Sequence, residues 1–270
     1  MSGYIVDHLA RCWREDGHSV SYLYGTRTFV PADLVLVHVN LSVVPDEYLD
    51  FASRYPIVLN GRIQDIRKSV ISNNVVHPGD SWDGPVIVKS DLNFAGEPER
   101  MLDHSWLHRH WRLWRGASSI AASVTGRKAA FDNSSDYLVF NHLSDMPRHW
   151  FYTRDVIVER FRPEIEGGLY HLRMYQFLGD RWNCSRLASA HPVVKAGTSV
   201  RVERIEPHAD VLAWREELGI DFGKLDYVVH EGEAVLLDAN KTTGASHHVD
   251  ADELRMARRY QAEGLYAYFA

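Results

Sequence analysis

Residues 218–244 read LGIDFGKLDYVVHEGEAVLLDANKTTG, and their pattern frames the rest of the chain. Two β-rich runs flank a tight His-Glu-Gly-Glu turn, which predicts an antiparallel hairpin with strands over 224–229 and 234–240. Side chains two apart on a strand share a face, so Asp238 and Asn240 project together while Ala239 points the other way. Asp226, on the first strand, can face them across the hairpin. Three hard oxygen donors at a strand end suit magnesium and leave metal positions open for phosphate and water. Taken alone, Asp-x-Asn also closes a strand before a turn. The carboxylate on the partner strand and the Lys-Thr-Thr-Gly that follows favour the metal site.

Upstream, the β character extends over Val156–Phe161, Leu169–Leu178 and Cys184–Ala190, with a helix around Val211–Leu218 and a last helix from Asp252 to about Ala262. At the start, Ile5, Leu9, Cys12 and Trp13 fall on one helical face, and Gly17 stands where that helix would stop. Ser19–Tyr24, Leu34–Val39 and Ile57–Asn60 read as strands, and Pro45–Tyr55 opens with Pro, Asp and Glu, the chemistry of a first helical turn. Residues 1 to about 62 therefore read as a small α-β-β-α-β layer. PVIVK at 85–89 is a further strand. From Glu97 to about Trp150 the chain is rich in Trp, His and Arg, with a helix expected over 101–115 and then the small-residue run GASSIAASVTGR.

Composition limits the partners. The 270 residues carry 30 Lys plus Arg against 36 Asp plus Glu, a formal net charge of -6, which argues against a protein held by nucleic-acid phosphates or anionic lipid. With 45% hydrophobic and 24% charged residues, the chain has the makings of packed globular domains. Two cysteines, Cys12 and Cys184, cannot build a disulfide framework, and the opening MSGYIVDHLARCWRED has no export-signal pattern. A cytoplasmic protein with no membrane segment is the expectation.

At its hairpin the sequence resembles the ATP-grasp family, whose signature sets an acidic residue on one strand and an acidic-x-Asn-x-x-x-Gly run on the next. Here these are Asp226 and then Asp238 through Gly244. The resemblance spans roughly residues 15–92 and 155–245. It implies an α/β (α+β) chain with an ATP-grasp fold and a small preceding Rossmann-like domain. Residues 1–62 would form the leading domain, 63–154 a lysine-bearing lobe with the Trp/His/Arg insertion, and 155–270 the metal-binding lobe. It further implies that Lys68 and Lys89 hold nucleotide phosphates, that Glu159, Arg160 and Phe161 form the adenine hinge, and that Glu166 reaches the ribose. Arg173 would contact the γ-phosphate and an acyl-phosphate intermediate, while Asp226, Asp238 and Asn240 ligate Mg2+.

The implied activity is ATP- and Mg2+-dependent carboxylate–amine ligation, with a small-molecule or peptide carboxylate and an amine as substrates. A homodimer is left open. A kinase or phosphotransferase, and a non-catalytic nucleotide-binding regulatory protein, are the alternatives. The charges fit a nucleotide independently of family, because ATP brings about four negative charges and phosphoryl transfer rests mainly on positioning and neutralisation.

Several residues keep a second reading. Arg173 lies inside a strand, where a charge needs either a cleft or an ion pair with a neighbouring strand. His171 stands where relatives carry an acid. SDLNFAGEPE, after Lys89, has few glycines for a phosphate-covering loop, and GASSIAASVTGR can replace it. His104 and His108 share a helical face without the glutamate of a zinc-protease motif, while Arg109, Arg112 and Arg115 line an edge beside an apolar stripe of Leu107, Trp111 and Trp114. His247 and His248 follow the hairpin closely.

Overall fold

The computed structural model describes residues 3–102, 131, 136–244 and 251–269. Its chain is a mixed α+β protein whose internal contacts gather into two units. One contains the chain up to Ile66, Val70–Asn73 and everything from Arg162 onward; the other contains Arg67–Ser69 and Asn74–Phe161.

The first unit is built on a six-stranded sheet. Its strands are β6 (Glu164–Glu166), β7 (Leu169–Leu178), β8 (Arg181–Ser189), β9 (Arg201–Arg204), β10 (Phe222–His230) and β11 (Glu233–Asn240). The order is β11-β10-β7-β8-β9, with β6 paired to the start of β7, and every pairing is antiparallel. The expected hairpin is present, turning through Glu231 and Gly232, both at positive φ (52° and 88°), as a two-residue turn between twisted strands requires.

One face of this sheet forms a core of Tyr175, Phe177, Cys184, Leu225, Tyr227, Leu236 and Ala239, closed by Ile63, Ile66 and Val211. Val211 belongs to the helix Ala209–Leu218, which stops at Gly219 in the left-handed region (φ 66°). A Cβ at that position would also lie 2.8 Å from Arg62 Cβ, so glycine serves both the cap and the close approach.

The leading segment does not stand apart. Helix α1 (Ile5–Glu15) presents Ile5, Leu9, Ala10, Cys12 and Trp13 to a second core that contains Leu59, Leu178, Phe222, Ala262 and Leu265. Trp13 Nε1 donates to Ala262 O at 2.9 Å, on the helix Ala251–Ala262. Strands β1 (Leu34–Leu36) and β2 (Ile57–Leu59) pair in parallel, joined by the helix Asp46–Ala52. Asn60, left-handed at φ 58°, then locks this layer to β10. Its Oδ1 accepts from the backbone N–H of Asp221 and Phe222 at 2.9 and 3.0 Å, and its Nδ2 donates to Phe222 O at 2.8 Å. The boundary expected near residue 62 is thus bridged by apolar packing and a buried amide, and residues up to Ile66 cluster with those after Arg162. The strand expected over Ser19–Tyr24 does not form; its residues are largely exposed and outside regular structure, and β propensity without a pairing partner does not make a strand.

The second unit holds a three-stranded antiparallel sheet, β4-β3-β5, of β3 (Val86–Ser90), β4 (Leu138–Phe140) and β5 (Val156–Arg160). Its core comprises Val76, Val86, Val88, Ala95, Phe131, Met146 and Val158. Among the described residues no helix is long and apolar enough to cross a membrane. Most of the Trp/His/Arg segment, including His104, His108, Arg109, Arg112 and Arg115, lies outside the described residues, as do GASSIAASVTGR and His247 and His248.

Candidate active site

On the β10–β11 hairpin, Asp226 and Asp238 are register partners, and so are Lys224 and Asn240. The next pair is Tyr227 with Leu236, so Leu237 is an extra residue in β11, a bulge. The bulge lets Leu236 and Ala239 stay in the core while Asp238 and Asn240 turn toward the face of Asp226. That face also carries Lys224, two residues before Asp226, and its Nζ donates to Asp226 Oδ2 at 2.6 Å. Burial opposes the ammonium, but the charge and hydrogen bond of Asp226, and then the charge of Asp238, raise the Lys224 pKa above its ordinary value.

Asn240 is anchored at the strand end. Its Oδ1 accepts from the Thr242 backbone N–H at 2.8 Å, Thr242 Oγ1 donates to Asn40 Oδ1 at 2.8 Å, and Asn40 Nδ2 donates to Tyr4 OH at 2.6 Å. Lys241, Thr242 and Thr243 are buried. Gly223 allows close approach, since a Cβ there would lie 2.6 Å from Asn240 O. Two carboxylates and one amide oxygen form an all-oxygen, hard donor set, which fits magnesium and does not fit a soft-metal site. Among the described residues, no group of three or more His, Cys, Asp or Glu side chains is placed to hold a metal ion.

Arg173 lies on the other face of the sheet. Its partner on β10 is the buried Tyr227, whereas Asp226 pairs with Met174. Adjacent strand residues point to opposite faces, so Arg173 lies on the face away from Asp226. There Glu164 takes it in a two-pronged contact, Nε and Nη2 both at 2.9 Å from the carboxylate. Glu164 also accepts from Arg186 Nε at 2.7 Å and from Val229 N–H at 2.8 Å. Burial alone would raise the Glu164 pKa; the Arg173 hydrogen bonds, the Val229 N–H and the charges of Arg173 and Arg186 bring it below the ordinary value. The ion-pair alternative for Arg173 is therefore the one that forms. Glu166, expected at the ribose, is mostly exposed and pairs with Arg186 at 2.6 Å. His171 is buried, its Nε2 3.5 Å from Glu166 O.

The remaining expected residues belong to the other unit. Lys89 Nζ and Glu159 Oε2 form an ion pair at 2.6 Å, both side chains almost wholly buried (5% and 0% exposed). The pair is diagonal, because Lys89 opposes Ile157 and Glu159 opposes Ile87. Glu159 Oε1 is buried with no hydrogen-bond donor among the described residues. Arg160 places its guanidinium 5.1 Å from the centre of the Trp82 ring, and its backbone N–H and C=O are both taken by Asn74 at 3.0 and 2.6 Å. Phe161 N–H donates to Pro85 O at 2.8 Å. Lys68, at the start of the short helix Lys68–Ile71, is buried with Nζ 3.4 Å from Leu92 O.

Three residues escaped sequence reasoning: Lys224, Glu164 and the buried Lys241. Only Lys224 carried a signal, its two-residue spacing from Asp226.

No protein-family model matches the sequence, and no curated protein matches it. Solved structures do match. Macrocyclase MdnC of Microcystis aeruginosa MRC, bound with precursor peptide MdnA, aligns at 8% identity and TM-score 0.31 over 44% of this chain. An ATP-grasp ligase of Chryseobacterium gregarium, RiPP-associated and in complex with ADP and a leader and core peptide, aligns at 14% and 0.29 over 43%. Macrocyclase MdnB of Microcystis aeruginosa MRC aligns at 11% and 0.44, over 99% of this chain and 96% of its own. The chain covers 38% and 37% of the first two proteins' lengths. All three TM-scores lie below 0.5, so the roles given below rest on this chain's own side chains.

Proposed function

We propose that this chain is an ATP-grasp enzyme that joins a carboxylate to an amine, on small molecules or peptides, using Mg-ATP. The observation that carries the reading is the bulged hairpin, which turns Asp226, Asp238 and Asn240 to one face at a strand end. Magnesium held by these oxygens would neutralise charge on the nucleotide's β- and γ-phosphates. Lys68 and Lys89 would bind phosphate oxygens, with Glu159 fixing the Lys89 ammonium. The Glu159 Oε1 atom, buried without a donor among the described residues, suits a hydroxyl or amino group of a nucleotide.

The chemistry follows from what a carboxylate lacks. Its carbonyl carbon is a poor electrophile, so a carboxylate oxygen first attacks the γ-phosphorus and ADP leaves. The amine nitrogen then attacks the acyl carbon, phosphate leaves, and the amine proton passes to solvent or phosphate. The side chains contribute placement and charge rather than a covalent nucleophile. Both cysteines are buried and unpaired, which suits the reducing conditions of a cytoplasm.

The test is ADP release from Mg-ATP across a panel of amino acids, short peptides and carboxylates, with product masses. The expected product is an amide, formed with one ADP and one phosphate, and Asp238→Asn should slow release by about a hundredfold or more. A stable phosphate ester would make the protein a phosphotransferase instead.

A further inference from the structure

We propose that Lys224 is the resident cation of the Asp226–Asp238 pair, and that a divalent ion reaches these carboxylates only as the Lys224–Asp226 ion pair opens. This rests on the reading of Asp226 and Asp238 as metal ligands.

The two carboxylates are direct register partners across the hairpin, a placement at which like charges repel. Lys224 answers that repulsion from within the same face. It precedes Asp226 by two residues, its own register partner is Asn240, and its ammonium sits 2.6 Å from Asp226 Oδ2. Thus the cation shares a face with all three expected ligands, on the strand that supplies one of them.

Magnesium binds carboxylate oxygen at about 2.0–2.1 Å. With the ammonium still in place on Oδ2, two cations would sit within about 5 Å of each other, where water screens them poorly. The Lys224 and Asp226 side chains keep only 23% and 14% of their exposure. The ion and the ammonium therefore compete for one carboxylate. The long, flexible lysine stem lets the ammonium yield without moving β10. The consequence is a divalent affinity below what these donors would give alone, and a carboxylate pair held in position before any ion arrives.

The test uses the full chain and Mn2+ alone as the probe, read as loss of the free-ion signal in electron paramagnetic resonance. Lys224→Met should bind Mn2+ about tenfold or more tightly than the wild type, the range by which residues supporting a metal site shift affinity. Lys224→Arg, which keeps the charge, should stay near the wild type, and Asp226→Asn should lose binding. Without metal, Lys224→Met should melt below the wild type, and saturating Mn2+ should restore most of the difference. Lys224→Gln serves in the same way should the methionine variant fold poorly. Equal or weaker Mn2+ binding in a folded Lys224→Met or Lys224→Gln would overturn the role of Lys224 and leave the metal site standing. No binding in either the wild type or these variants would overturn the metal reading and the proposal together.

Discussion

Replacing Glu164 by Gln removes one charge and leaves the shape of the side chain intact. In the native sheet this carboxylate receives two hydrogen bonds from Arg173, one from Arg186 and one from the Val229 N–H, all between 2.7 and 2.9 Å. Glutamine keeps one acceptor oxygen and turns an NH2 group toward arginine donors, so about two charge-assisted bonds are lost, at a gross cost of about 1.5–3 kcal/mol each. Arg173 and Arg186 retain 21% and 13% of their side-chain exposure, and Arg186 keeps Glu166 and Glu203. Water and these partners offset part of the loss, leaving about 2–4 kcal/mol.

The acid dependence has a definite sign. Because the folded Glu164 pKa is lowered, its contribution is complete above the unfolded value near about 4.3 and is lost as pH falls through the folded value. Urea unfolding followed by circular dichroism, at steps from about pH 7 to about pH 3, should show the wild type and Glu164→Gln converging only at the acid end. An Arg173→Met cycle should show coupling of about 1 kcal/mol or more. A neutral-pH gap below about 1 kcal/mol, or one that persists undiminished to about pH 3, would refute the assignment of Arg173 to Glu164.

Other perturbations separate structural from chemical roles. Lys89→Met alone strands the buried Glu159 carboxylate and should cost about 3–5 kcal/mol, whereas Lys89→Met with Glu159→Met should recover most of that in thermal unfolding while nucleotide binding stays weak. Asn60→Ala leaves the backbone donors of Asp221 and Phe222 unmet and should destabilise the chain by about 2–4 kcal/mol in urea, with Asn60→Gly no better despite tolerating φ 58°. Burial lowers the His38 pKa to about 4, so its stabilisation is complete above the unfolded value near about 6.5 and is lost as pH falls toward 4. NMR titration should find the imidazole neutral at about pH 5, and His38→Phe should flatten the acid limb of stability over that window.

The hairpin was legible because alternation is a local property: Asp238, Ala239 and Asn240 sort to faces by period two alone. Leu169–Leu178 was legible for a related reason, being long and rich in strand formers. Leu138–Phe140, Glu164–Glu166 and Arg201–Arg204 were not, since they owe their form to partners that lie beside them only in the folded chain. The face of Arg173 depends on which β10 residue it opposes, and no pattern within YHLRMYQF contains that register. Nor does local sequence reveal that Leu237 is the extra residue that orients Asp238. Nor was the core that the leading segment shares with Phe222 and Leu265 legible, since it is set by residues some two hundred positions away.

Calorimetric titration of ATP, with and without magnesium, into the wild type and Asp238→Asn isolates the chemistry assigned to the hairpin. The wild type should bind ATP about tenfold or more tightly with magnesium than with the ion chelated, and Asp238→Asn should erase most of that difference without losing its fold. ATP affinity that is the same with and without magnesium, or a magnesium effect that survives intact in Asp238→Asn, would contradict the assignment of Asp226, Asp238 and Asn240 to the metal of a bound nucleotide.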